Sequence, residues 1–500
     1  MDIAQAKQQV KDTIEAYLAV DDDGELLLAR AQQRPVFLVG APGIGKTAIM
    51  AQIADELDLG LVSYSMTHHT RQSALGLPFI THQDYEGYEY DASEYTMSEI
   101  IDAVYENMRT TGHTQGILFL DEINCVSETL YPSMLQFLQF KTFGRHEVPE
   151  GWIVVTAGNP PEYNRSVHEF DIVTLDRVKR IAVEPDFAAW KAYAVKKGVH
   201  PAVLTFLEAK SDRFYSIKTS LDGKQFVTAR GWDDLSDIIR AYEELGKAVD
   251  EALISHYVQD PKIAGEFAAY YELFNKYRDD YRIEAILEGD APDEVVQRAK
   301  DAEFDERLSL LGLLLDALEP RFRAIMSRTD MVLAVRDDLR AVKQSASEGE
   351  APVVSLANII SQKQGLLDAL CAGGTSSKSK RAVMRAEIAE LERFQEELAG
   401  GCGDASADMQ ALEEMFARAS QLDAEVKAQE TRIAAAFAFL VEAFGDAQEM
   451  LIFVTELTQR TPSARYIAQF GSESYFEHNQ PMILSDAHRR LRSLVEDLEL

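Results

Sequence analysis

Apolar positions along the chain change their period as it proceeds. Ile3, Val10, Ile14 and Leu18 recur at spacings of 7, 4 and 4, which lays one apolar face along a helix. Asp21-Asp22-Asp23-Gly24 ends that pattern. From Arg34 to about Pro185, short β-rich runs alternate with helical stretches. The runs are residues 36–39, 61–64, 116–120, 152–156 and 180–183. The first, third and fourth are nearly continuous apolar runs, as parallel strands read when helices cover both faces. Five such strands with intervening helices predict a doubly wound α/β domain.

From Asp186 to about Lys300 no strand pattern survives. Trp190, Tyr193, Leu204, Phe206, Leu235, Ile239 and Tyr242 recur at helical spacing. Beyond Ala302 the chain reads as helix again, richer in Ala, Glu and Leu. There Met384, Ile388, Leu391 and Leu398 share one face, and Leu422, Val426, Ile433 and Leu440 share another, with Gly400-Gly401-Cys402-Gly403 between them. Two outcomes fit: a coiled-coil hairpin over about 380–445, or two members of a helical bundle. Residues 375–380 read as an exposed loop. The predicted order is an N-terminal helix (1–30), an α/β domain (31–185), a helical domain (186–300) and a helical C-terminal region (301–500).

Composition narrows the setting. A single core rarely grows past ~250–300 residues, so 500 residues predict two or three domains. With 46% hydrophobic and 27% charged residues, the chain is ordinary for a globular protein, which excludes disorder over most of its length. The 83 acidic against 50 basic side chains give a net charge of −33. Such a surface repels phosphate backbones and anionic membranes alike. Cys125, Cys371 and Cys402 are odd in number and form no C-x-x-C, which excludes a disulfide framework and predicts a reducing compartment. The first residues lack the basic and apolar regions of a secretory signal. The longest apolar run, near 434–441, is too short to span a bilayer. These features predict a cytoplasmic protein. His68 and His69 have no carboxylate or Cys at ligand spacing, so zinc is not expected.

Three motifs carry chemistry. Gly40-Ala41-Pro42-Gly43-Ile44-Gly45-Lys46-Thr47 matches G-x-x-x-x-G-K-[ST], follows a predicted strand and opens a predicted helix at Ala48. Its glycines let successive N–H groups turn toward phosphate oxygens at a helix N-terminus. Lys46 is placed to reach β- and γ-phosphates, and Thr47 to ligate magnesium. Second, the strand at 117–120 ends in Asp121-Glu122. Ionised carboxylates are costly at the end of a buried strand. A metal ion beside a triphosphate gives Asp121 a ligand role, and Glu122 can polarise a water. Third, the strand at 153–156 runs into Asn159, whose amide can orient that water or touch the γ-phosphate, or else form a turn before Pro160-Pro161.

These motifs, with a helical lid after them, resemble an AAA+ ATPase of the MoxR-like, dynein-related group over about residues 31–300. The resemblance implies a P-loop sheet with helices on both faces, ATP and Mg2+ as ligands, and ATP hydrolysis. It implies a homo-oligomeric ring, a hexamer, acting on a protein partner that bears a von Willebrand factor A domain. The segment from about Thr67 to Gln115, with Gly76-Leu77-Pro78 and Tyr85-Glu86-Gly87-Tyr88, resembles the group's helix-2 insert. The segment from Lys141 to Pro149 resembles its hairpin before the third motif. Both features would face the pore of a ring. Leu175-Asp176-Arg177 resembles a Leu-Asp-Arg-Phe element, with Val178 in place of Phe, which implies that Arg177 is an arginine finger for the neighbouring subunit. Lys179 and Arg180 compete for that role. Arg230, in Thr228-Ala229-Arg230-Gly231-Trp232, matches a sensor arginine that touches the γ-phosphate in cis. Related branches leave a nucleic-acid motor and a chelatase-type motor subunit as alternatives, together with a nucleotide-binding scaffold without turnover.

Overall fold

The computed structural model describes residues 1–479 except Glu86, 144–145, 164–166, 221–222, 374–377 and 399–404. Arg145, Cys402 and the glycines at 400–403 therefore lie outside the described residues, as do residues 375–377 of the loop expected at 375–380, whereas residues 378–380 already belong to the helix Lys378–Leu398. The chain forms two compact units. One comprises Met1–Lys191, Asp212–Ile238 and Ala252–Pro261; the other comprises Ala192–Ser211, Ile239–Glu251 and the chain from Lys262 onward. Residues 186–300 thus contribute to both.

The first unit is built on α1 (Ile3–Leu18), β1 (Val36–Gly40), α2 (Lys46–Leu57), β2 (Gly60–Ser65), α3 (Arg71–Leu75), β3 (Pro78–Tyr85) and β4 (Tyr88–Tyr95). It continues with α4 (Glu99–Thr111), β5 (Gly116–Asp121), α5 (Tyr131–Phe140), β6 (Thr142–Phe143), β7 (His146–Glu147), β8 (Trp152–Gly158), α6 (Ile172–Leu175) and β9 (Lys179–Val183). Five of these strands form one parallel sheet in the order β2-β5-β8-β1-β9. They are the five runs read from the sequence. β5 and β8 are buried on both faces, because one apolar cluster lies on each side of the sheet. Val10 and Ile14 of α1 are fully buried in one of those clusters, so α1 is part of this unit's core. The unit is thus a parallel sheet with helices on both faces, as the alternating runs predict.

Strands outside the sheet appear in three places, of which only the short hairpin before β8 was expected. β3 and β4 pair as an antiparallel ribbon inside the insertion at 67–115. β6 and β7 form a very short hairpin where one was expected before β8. The expectation of no strand after Asp186 is corrected by β10 (Ser216–Ser220) and β11 (Gly223–Val227), which pair antiparallel. Their apolar content is little more than Ile217 opposite Phe226, with Ser, Thr, Lys and Gly elsewhere. A ribbon buried on so little of its surface leaves almost no period-2 signal.

The second unit is all helix among its described residues, and its axis is the 44-residue helix Phe304–Ser347. Every residue from Leu308 to Leu315 is buried, as expected of a helix apolar all round. Around it pack Pro201–Ala209, Pro352–Gly373, Lys378–Leu398, Asp423–Phe444, Gln448–Gln459 and Thr461–Phe470. The two helical segments read at about 380–445 each pack against several neighbours. Leu391, Phe394 and Leu398 pack against Val335, Leu356 and Leu412. Asp423–Phe444 packs instead on the helices Ile283–Leu287, Asp293–Asp301 and Phe304–Ser347. Each apolar face is wide enough to touch several neighbours, and the stretch after the glycines is broken between Ala419 and Asp423. No helix among the described residues is long and apolar enough to cross a membrane.

Candidate functional site

The C-terminal ends of β1, β5 and β8 lie side by side, and each runs into one of the three motifs. After β1 the chain must reverse into α2 within a few residues. Gly43 at φ +71° and Gly45 at φ +94° make that turn, in a region that favours glycine. A Cβ on Gly43 would also lie 2.9 Å from the Thr228 side chain. Lys46, the first residue of α2, folds back over the turn. Its Nζ donates to the carbonyls of Gly40 and Ala41, both at 2.8 Å, and to Oδ1 of Asn159 at 2.9 Å. Lys46 is only 8% exposed. Burial pushes its ammonium down to about 8, against the pull of Asp121 and Glu122 and with repulsion from Arg230.

Thr47 donates from Oγ1 to Oδ2 of Asp121 at 2.6 Å, which joins the start of α2 to the end of β5. Glu122 follows at φ +54°, an uncommon backbone state for a residue other than glycine that stores on the order of 1–3 kcal/mol. The backbone reversal turns its carboxylate away from the strand, where Ser65 Oγ at the end of β2 donates to Oε2 at 3.2 Å. The Glu122 N–H donates to Asp121 Oδ1 at 2.9 Å. These contacts bring Lys46, Thr47, Asp121, Glu122 and Asn159 together around one opening.

Two further groups reach the turn from residues 212–230. Tyr215 donates its hydroxyl to the Pro42 carbonyl at 2.9 Å, and burial raises its pKa. Arg230 donates its backbone N–H to the Gly43 carbonyl at 3.0 Å. Its guanidinium is exposed and close enough to repel Lys46. Arg177 is not part of this cluster. It follows α6 on the way into β9, the edge strand, and is exposed with no side-chain hydrogen bond among the described residues. Its charge helps Thr174 hold the Asp171 carboxyl below the usual range. Its two competitors are placed differently. Lys179 donates to Thr13 at 2.5 Å, and Arg180 lines a cavity of about 650 Å³ bordered by Gly40, Asn124, Asn159 and His168.

Sequence reasoning missed Asn124, Ser65 and Tyr215. Asn124 is 5% exposed, and its Nδ2 donates to the Asn159 carbonyl at 2.8 Å. Its Oδ1 lies so close to Gly158 that any side chain there would overlap it, and that oxygen has no hydrogen-bond partner among the described residues. A polar residue between Ile123 and Val126 was the available signal. Lys141, considered as a pore-facing cation, is instead 5% exposed at φ +55°. It donates to the Arg30 carbonyl at 3.1 Å, and burial pushes it down to about 8.

The donor set fits a magnesium-bound polyphosphate. One hydroxyl and one carboxylate, Thr47 and Asp121, are few ligands for Mg2+, which takes its remaining oxygens from phosphates and water. The buried ammonium beside a turn of backbone N–H groups supplies the matching positive charge. Fold and site together define a P-loop nucleotide-binding domain. Residues 35–178 match the family model described as AAA domain (dynein-related subfamily), which supports an AAA+ ATPase. No curated protein matches the chain.

Proposed function

We propose that the protein is a MoxR-like, ring-forming ATPase that binds and hydrolyses Mg-ATP to remodel or mature a protein partner. The reading rests on the hydrogen bonds Asn159–Lys46 and Thr47–Asp121, which tie β8, the turn after β1 and β5 together at one place. Lys46 and the N–H groups of 43–48 bind the β- and γ-phosphates. Mg2+ held by Thr47 and Asp121 would neutralise charge on the phosphate oxygens. Glu122, released from Ser65, accepts a proton from the attacking water. Asn159 holds that water in line. Arg230 reads the γ-phosphate in cis.

Arg177 completes the site of a neighbouring subunit, where a guanidinium that meets the spreading charge can add ~10³–10⁵ in rate. Its exposure, and the engagement of Lys179 elsewhere, support it over that competitor. A partner with a von Willebrand factor A domain fits the resemblance to the MoxR-like group. The nucleic-acid motor loses support, since Lys141 is withdrawn into the interior and the net charge is −33.

Steady-state ATPase of the purified protein tests this. Glu122→Gln lowers kcat by about 10²–10⁴ while nucleotide still binds. Equal turnover by both proteins refutes the assignment. Mixing Lys46→Ala with Arg177→Ala subunits restores part of the activity, because some interfaces then pair an intact cis site with an intact finger. No recovery in mixed assemblies removes the trans role.

A further inference from the structure

The β3–β4 ribbon is organised unlike a stable surface hairpin. Each strand is eight residues long, and among the described residues the two pair only with each other, so each keeps a largely unpaired outer edge, with His146 on the Tyr95 carbonyl near the base of β4. Natural proteins protect such edges with lysine, internal proline or a covering element. None of these occurs within the ribbon: Pro78 sits at its first position, and no Lys or Arg lies between Arg71 and Arg109. Eight acidic residues occupy that interval. Leu77, Phe79, Ile80, Tyr88, Tyr90, Tyr95 and Met97 are all exposed, Tyr88 to 80%.

The register sorts these side chains. One face carries Phe79, Gln83, Tyr88 and Tyr90, with Tyr90 donating to Gln83 at 2.9 Å. The other carries Ile80, His82, Asp84, Glu89 and Asp91. Asp84 stands directly opposite Glu89, and like charges so placed destabilise a ribbon. His82 pairs with Asp91, whereas Glu89 has no hydrogen-bond or ion-pair partner among the described residues. The base of the ribbon is fixed. Leu77 and Thr96 exchange backbone and side-chain hydrogen bonds at 2.9 Å, and Gly76 packs where any Cβ would overlap the Thr96 carbonyl. A clamped base that presents a self-repelling, open-edged ribbon breaks local stability rules in the way binding sites do.

We propose that this ribbon docks an extended, lysine- or arginine-rich segment of a protein partner. The segment adds as a third strand along a free edge. Its backbone supplies the hydrogen bonds, its alternate cations meet Glu89, Asp84 and Asp91, and its other side chains rest on the tyrosine face. This deepens the protein-remodelling reading and rests on it for biological context, but the binding itself needs no nucleotide.

The test is fluorescence anisotropy of the full-length protein with a labelled peptide of alternating lysine and valine, alongside the same peptide carrying glutamate for lysine. The expected result is saturable binding of the lysine peptide only, weakened at higher salt. Glu89→Lys turns the repulsive Asp84–Glu89 pair into an attractive one, so the ribbon keeps its fold while the affinity falls at least about tenfold. Tyr88→Ser reduces it less. Lys46→Ala binds the lysine peptide as the wild type does, which separates this result from any failure of the ATPase reading. Equal affinity for both peptides, or unchanged affinity in Glu89→Lys, overturns the proposal. So does a Glu89→Lys protein that loses self-association on gel filtration while still binding peptide, because the ribbon is then a contact between copies.

Discussion

The nucleotide site of the first unit and the ion-pair clusters of the second partner their charges differently. In the first, the Lys46 ammonium is withdrawn from water with two carbonyls and one amide as partners, and no carboxylate within hydrogen-bonding reach. Asn124 leaves a buried oxygen without a hydrogen-bond donor among the described residues. In the second, several charges close on one another, although Glu319, Asp338, Arg432 and Arg460 each keep one buried polar atom without a hydrogen bond among the described residues. Glu243 accepts from His200 at 3.2 Å, Tyr271 at 3.0 Å and Arg278 at 3.3 Å. Lys363 bridges Asp338 at 3.0 Å and Glu387 at 2.7 Å, which ties three helices together. A charge that finishes its bonding inside the protein acts as a staple. One left incomplete is positioned for something the protein binds.

That contrast predicts which property each substitution damages. Lys46→Ala should lower kcat/KM for ATP by about 10² or more, since the site loses its buried cation. Its thermal midpoint should stay level or rise, because a desolvated ammonium without an ion-pair partner adds little to folding. A large loss of stability would place Lys46 among the staples and break the comparison. Asn124→Ala should act more mildly. Losing one hydrogen bond to the Asn159 main chain leaves the Asn159 amide less firmly held beside Lys46. A fall in kcat of about tenfold, with KM for ATP nearly unchanged, is expected from a contribution of about 1–1.5 kcal/mol. A proportional rise in KM instead would show that Asn124 shapes ground-state binding.

The same contrast accounts for what could be read from residues alone. The five sheet strands were legible because burial on both faces demands unbroken apolar runs, such as Ile117–Leu120. The turn at Gly40–Thr47 and the acids at 121–122 were legible because their chemistry depends on local spacing. Asn124 and Ser65 were not, since their partners lie 35 and 57 positions away and become neighbours only when parallel strands align. The ribbon at 78–95 escaped notice as strand because both of its faces are exposed, so no polar–apolar alternation marks it. In the second unit the apolar faces were legible but their partners were not. A face such as Leu391–Leu398 fits any comparable helix, so its neighbours are legible only in three-dimensional packing.

The smallest effect sharpens the comparison from the side of the staples. Burial by itself would raise the Glu243 carboxyl. The hydrogen bond and charge of His200, with Arg278 and Tyr271, outweigh it and bring the value down to about 2 from the usual 4.5. A depressed carboxyl stabilises the fold fully above its unfolded value, and that contribution disappears as pH falls through the folded one. Between about pH 4.5 and 2 the protein should therefore lose the share of stability that Glu243 supplies. The full shift overstates that share, because the carboxylate keeps partial contact with water, and about 1–2 kcal/mol is the expected size. Glu243→Gln should lower the thermal midpoint at pH 7 and flatten its decline between pH 5 and 3. ATP turnover, measured below the new midpoint, should be unchanged. Were Glu243→Gln to reduce turnover at full folding, the second unit's buried charge would be linked to the nucleotide site, and the division between staples and waiting charges would no longer follow the two units.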